Sequence, residues 1–126
     1  MNTTFNQVTF DNNSAGKGGA AYLTTDTYNT EIIGDTFNDC NFTNNHADSE
    51  ASAIHCDKVD LNINGTNFVN NTGGSNVIST TMPTQITNSS FVNNSAESEI
   101  INQAKQQYGY QTDLTLNITG TSFEKL

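Results

Sequence analysis

The side chains most able to do chemistry are two carboxylate pairs, Asp48/Glu50 and Glu97/Glu99, and a loose group of His46, His55, Cys40, Cys56 and Asp57. Two carboxyls a few ångströms apart in a groove are what glycoside hydrolysis requires. Converging carboxylates could also hold calcium, which takes six or more oxygen ligands. Histidine and cysteine together could hold zinc, but their spacing here matches no zinc pattern. Two cysteines are too few for a disulfide framework, although they could form one bridge; the simpler reading is two small buried residues. Arginine is absent, and the only cations are Lys17, Lys58, Lys105 and Lys125.

Composition narrows the classes further. The net charge of -9 leaves no basic face for nucleic acid or for an anionic membrane. Only 33% of the 126 residues are hydrophobic and 13% are charged, too polar for an ordinary globule and too weakly charged for a solvated acidic tail. No apolar run approaches the roughly 20 residues of a membrane-spanning helix, so no direct membrane insertion is expected. The N-terminus does not read as a signal peptide, so an export signal is expected outside this sequence.

The elements that must position these residues are set by an internal repeat. One phrase recurs as Phe10-Asp11-Asn12-Asn13, Phe42-Thr43-Asn44-Asn45, Phe68-Val69-Asn70-Asn71 and Phe91-Val92-Asn93-Asn94, with Phe123 as a degenerate fifth copy. Placing the Phe residues in register aligns four further columns. Phe5, Phe37, Ile63, Ile86 and Ile118 lie five before; Met1, Ile33, Val59, Met82 and Leu114 lie nine before. Val8, Cys40, Thr66, Ser89 and Thr121 lie two before, and Ala15, Ala47, Gly73 and Ala96 five after.

Val59-Asp60-Leu61-Asn62-Ile63 alternates as a strand with one buried face. The odd step from Ile63 to Phe68 breaks the alternation, and Asn64-Gly65-Thr66 supplies a turn there. The paired Asn marks a second corner, since Asn tolerates left-handed backbone. A third apolar patch runs through Ala20 to Leu23, Ala53-Ile54, Val77-Ile78 and Ile100-Ile101. Three strands and three corners per unit make one coil of a β-helix. The fold predicted is therefore all-β, a right-handed parallel β-helix of about five rungs with incomplete caps. Residues 1–126 form one segment, expected to be a slice of a longer array. Stacked coils turn identical positions into ladders: rings at Phe10, Phe42, Phe68, Phe91 and Phe123, amides at Asn13, Asn45, Asn71 and Asn94. A short helix within Ser95 to Gln107 is the weaker alternative to a third strand at Ile100-Ile101.

The Phe-x-x-Asn phrase, followed by Gly18-Gly19-Ala20-Ala21-Tyr22, resembles the paired FxxN and GGA[ILV] motifs of the polymorphic outer-membrane-protein repeat. Such repeats occur in chlamydial autotransporter adhesins and in adhesin-like surface proteins of other microbes. The FxxN half matches in four of five units; the GGA half matches once, with Ala53-Ile54 a partial second copy. The resemblance implies a β-helical passenger outside the cell, often adhesive, and no catalytic residues.

On this reading the two carboxylate pairs share columns with a whole rung between them, filled by Gly74 and Asn76, and stand as solvated corner residues. The polysaccharide-binding or -degrading β-helices, lyases and glycosidases, are the rival class, with a purely structural fibre module as a third reading, and the missing arginine counts against a lyase base. No catalytic residue, metal or cofactor is expected. The insertions Thr24 to Thr30 and Asn102 to Asp113, with Tyr28, Tyr108 and Tyr110, are the candidate contact loops. The expected partner is a host-surface protein or carbohydrate, and open ends would favour end-to-end self-association. Eight Asn-x-Ser/Thr sequons follow from the Asn- and Thr-rich composition alone.

Overall fold

A computed structural model describes residues 2–25, 34–104 and 114–125. Every element in them is a strand, and every pairing is parallel. The first coil holds β1 (Thr4–Asn6), β2 (Thr9–Asp11), β3 (Ser14–Lys17) and β4 (Ala21–Thr24). The second holds β5 (Gly34–Asn38), β6 (Asn41–Thr43), β7 (His46–Glu50) and β8 (Ile54–Asp57). β9 (Asp60–Asn64), β10 (Asn67–Val69) and β11 (Ile78–Thr80) make the third, and β12 (Thr84–Thr87), β13 (Ser90–Val92) and β14 (Ile101–Gln103) the fourth. β15 (Leu116–Thr119) and β16 (Ser122–Glu124) belong to the fifth.

Equivalent strands stack into two five-stranded sheets, β1-β5-β9-β12-β15 and β2-β6-β10-β13-β16, a four-stranded sheet β4-β8-β11-β14 and the pair β3-β7. This is a parallel β-helix. Its register is that of the repeat: Phe5, Phe37, Ile63, Ile86 and Ile118 pair in one sheet, and Phe10, Phe42, Phe68, Phe91 and Phe123 in the next.

The corners follow from backbone chemistry. The first Asn of each pair takes left-handed backbone, with φ of 60° at Asn12, 55° at Asn44, 57° at Asn70 and 55° at Asn93. The corner before it uses Gln7, Asp39, Gly65, Asn88 and Gly120, all at positive φ. Only two of those five are glycine, because a polar residue can carry one strained turn per coil at modest cost.

Rings from successive coils stack because the coil repeat and the stacking distance of aromatic rings are nearly equal. Phe10–Phe42, Phe42–Phe68, Phe68–Phe91 and Phe91–Phe123 have centroids 4.6, 4.9, 4.4 and 4.7 Å apart and planes within 11°. Phe5 and Phe37 form a second stack at 4.7 Å and meet the first column edge-on. Burial is deepest in the middle coils: Phe37, Phe42 and Phe68 are fully enclosed, whereas Ile118 and Phe123 of the fifth coil are 37% and 47% exposed.

Three details differ from the expectation. The first two coils carry a fourth strand, β3 and β7, and the third coil cannot continue it because Gly73 and Gly74 turn at φ of 82° and 71°. Thr24, Asn102 and Gln103 lie in strands rather than in insertions. Tyr22, grouped above with the third apolar patch, faces outward at 51% exposure, because strand alternation turns Ala21 and Leu23 inward. Among the described residues of 95–104 there is no helix, and Ile101–Gln103 is strand.

Candidate functional site

The most ordered polar feature lies inside the wall, at the second Asn of each corner. Asn71 Oδ1 accepts the Asn45 N–H at 3.0 Å and Asn45 Nδ2 at 2.9 Å. Asn71 Nδ2 donates to Asn94 Oδ1 and to the Phe42 carbonyl, both at 2.9 Å. The same pattern links Asn13 to Asn45. The amides of Asn45 and Asn71 thus satisfy all four of their bonding sites and bind the backbone of the neighbouring coils. Asn45 and Asn71 are fully buried.

The column of small residues two before each Phe is a second internal ladder. Thr66 Oγ1, Ser89 Oγ and Thr121 Oγ1 accept the backbone N–H of Cys40, Thr66 and Ser89, at 3.3, 3.1 and 3.2 Å. Each hydroxyl then donates to the carbonyl two residues before it.

Among the carboxylates, Asp48 is largely exposed and lies 3.4 Å from His46 Nε2; Glu50 pairs with Lys17 at 3.4 Å. Glu97 bonds through its N–H to Gly74, and Glu99 receives Asn76 Nδ2 on its carbonyl. Gly74 and Asn76 therefore fill the intervening rung. Asp48 and Glu97 stand two rungs apart, about 9.6 Å along the stack. His46 stays on the surface, its Nδ1 3.4 Å from Thr72 Oγ1.

His55 packs under Tyr22 with ring centroids 4.6 Å apart. Burial lowers its pKa below the ordinary 6.5, while Glu50 and Asp57 pull the other way. No group of three or more His, Cys, Asp or Glu among the described residues could hold a metal ion. His46 lies on β7, His55 and Cys56 are adjacent on β8 with their side chains on opposite faces, and Cys40 stands between β5 and β6; Tyr28, Tyr108 and Tyr110 lie outside the described residues.

Both cysteines are free thiols in the core. Cys56 Sγ donates to the Val59 carbonyl at 3.1 Å, and Cys40 Sγ to that of Asn38 at 3.3 Å. Burial pushes the Cys56 thiol up to about 12, with Asp35, Asp57 and Asp60 adding to it. A thiolate is the reactive species. The folded protein at pH 8 should therefore leave both thiols unmodified by a chromogenic disulfide reagent over an hour, and urea should release two equivalents. Rapid modification of the native protein would contradict this placement.

Asp60 opens β9 beside Gly34, and its Oδ1 is buried without a hydrogen-bond partner. Burial raises its pKa above 3.8. The unfolded chain therefore loses its proton first as pH rises, and stability falls between pH 3.8 and the higher folded value. Asp60→Asn should raise the melting temperature at pH 7 by the equivalent of about 0.5 kcal/mol after discounting for solvent screening, and the gain should vanish near pH 3. Equal gains at both pH values would point to a packing effect instead.

Tyr22–His55 and Lys17–Glu50 were not visible as sites in the sequence, since neither pair recurs from coil to coil. The comparisons with known proteins add one match. No curated protein and no solved structure matches the chain. Residues 7–24, which run from the first corner through Phe10, Asn13 and the Gly-Gly-Ala phrase, match the Chlamydia polymorphic membrane protein repeat. With the parallel coils stacked in register around that segment, the chain fits a repeat protein of the polymorphic membrane protein type.

Proposed function

We propose that the chain is a non-catalytic, adhesin-like β-helix displayed at the cell surface, where it contacts a host-surface protein or carbohydrate. The observation that carries this reading is the matched repeat at residues 7–24, whose Phe and Asn columns continue into the coils that follow. The chemistry of the walls supports it. Of the outward carboxylates, Glu50 meets Lys17 and Asp48 meets His46, and the equivalent columns hold Asp48 and Glu97 two rungs apart. Continuous ladders of hydrogen bonds between the coils also give a stiff rod, which suits a module that carries a contact surface away from a membrane.

Labelling of intact source cells with antibody against this chain tests the reading. Surface label that is lost after external protease is the expected result. Label that appears only after the cells are permeabilised would overturn it.

A further inference from the structure

The outward face of the β1-β5-β9-β12-β15 sheet differs in character from the rest of this acidic chain. Its central columns begin at Thr4 and Asn6 and pair upward through all five coils. They hold only Thr, Asn and Gln. Among the described residues the carboxylate at an outward position of this sheet is Asp60, at the start of β9. A chain of net charge -9 would normally place several acids on so large a wall.

The face is also held in place. Asn38 Nδ2 donates to Asn6 Oδ1 at 3.0 Å, Asn64 Nδ2 to Asn38 Oδ1 at 2.9 Å, and Thr87 Oγ1 to Asn64 Oδ1. An amide carries two N–H groups and two lone pairs, so this ladder leaves one of each on Asn38 and Asn64 for another partner. Those groups repeat about every 4.8 Å along the stack, on side chains whose rotamers are already fixed. Little ordering entropy remains to be lost on binding.

We propose that this face binds an extended, uncharged polysaccharide. A sugar polymer offers repeating hydroxyls that both donate and accept, matching the spare amide groups rung by rung. Many weak contacts along one rigid strip add by multivalency. An acidic polymer would be repelled by the net charge. A protein partner would look for aromatic or large apolar anchors, and these two columns contain none. The proposal rests on surface display only for where the polymer would be met. Binding is measured on purified protein, so it can fail while the cell labelling succeeds, and the reverse.

The experiment is native electrophoresis of the full chain through gels containing hydroxyethyl cellulose, galactomannan or alginate, with co-sedimentation on microcrystalline cellulose and chitin. Retardation or co-sedimentation by at least one of the neutral polymers and none by alginate is expected. The double variant Thr36→Glu/Asn62→Glu, both outward on the face, should weaken binding about tenfold or more. Thr9→Glu/Ser122→Glu, which adds the same charges to the neighbouring sheet, should bind as the parent does. If the first double variant fails to fold, Gln85→Glu, nearly isosteric and exposed, takes its place and should weaken binding in the same direction. Indifference to all of the neutral polymers, equal retardation by alginate, or binding unchanged by the folded face variant would each overturn the proposal.

Discussion

Replacing Asn71 by alanine should cost about 3–6 kcal/mol, as much as truncating a core phenylalanine. The residue is polar, but its amide makes four hydrogen bonds in a fully buried position. Alanine would strand the Asn45 N–H, one Asn45 Nδ2 proton and the Phe42 carbonyl away from water, and each orphaned group costs about 1–3 kcal/mol. Asn71→Asp separates the two halves of the amide. The carboxylate still accepts from Asn45, but it faces the Phe42 carbonyl and Asn94 Oδ1 with no proton to donate. Burial raises its folded pKa above the unfolded value, so this variant should be least impaired in acid and lose stability as pH rises through the folded pKa. The neighbouring Asn70 is exposed and left-handed, with φ of 57°. Asn70→Gly should change stability by only a few tenths of a kcal/mol. Urea unfolding of the three variants checks the contrast; comparable losses at positions 70 and 71 would refute it.

That contrast shows what the sequence made legible. A property that returns at the same position in successive coils can be read from spacing alone, and register, sheet order and corner positions are such properties. The Phe and Asn columns needed only the intervals from Phe10 to Phe123. The left-handed residue at each Asn pair followed from the type of residue repeated there. The column from Val8 to Thr121 was visible as small residues, but its role as a hydroxyl ladder was not. That role depends on which N–H of the adjacent coil lies opposite.

Features confined to one or two coils were hidden for the same reason. Tyr22 meets His55, and Lys17 meets Glu50, across a single rung boundary, and among the described residues no other coil repeats either pair. The fourth strand exists where Ser14-Ala15 and His46-Ala47 can extend and stops where two glycines bend the chain. Ala51 and Lys58 take φ of 58° and 67° with no turn-forming side chain to announce it. The uncharged outward face of the first sheet was present in the same alignment as the core columns. It is defined by which residue types do not occur there, and the spacing of recurring residues carries no trace of an absence.

Phe68→Ala should cost about 3–5 kcal/mol and lower the melting temperature by roughly 10–20 °C. Phe68 has no solvent exposure, and its ring lies between Phe42 at 4.9 Å and Phe91 at 4.4 Å. Truncation removes the transfer free energy of the ring, opens a cavity, and breaks two stacked contacts instead of one. The neighbours cannot close the gap readily, because each ring is fixed to its own strand and the strands are held at the hydrogen-bonded spacing. In a stack where each coil touches only its neighbours, the loss weakens the interfaces on both sides of the third coil at once. Phe123 provides the internal comparison: it stacks on one side only, at 4.7 Å from Phe91, and is 47% exposed. Phe123→Ala should therefore cost about 1 kcal/mol, the size of one aromatic contact with little burial behind it. Thermal and urea melts of the two variants, compared with the parent, measure the difference. Equal losses at positions 68 and 123 would mean that the rings stabilise their own coils and not the stack between them.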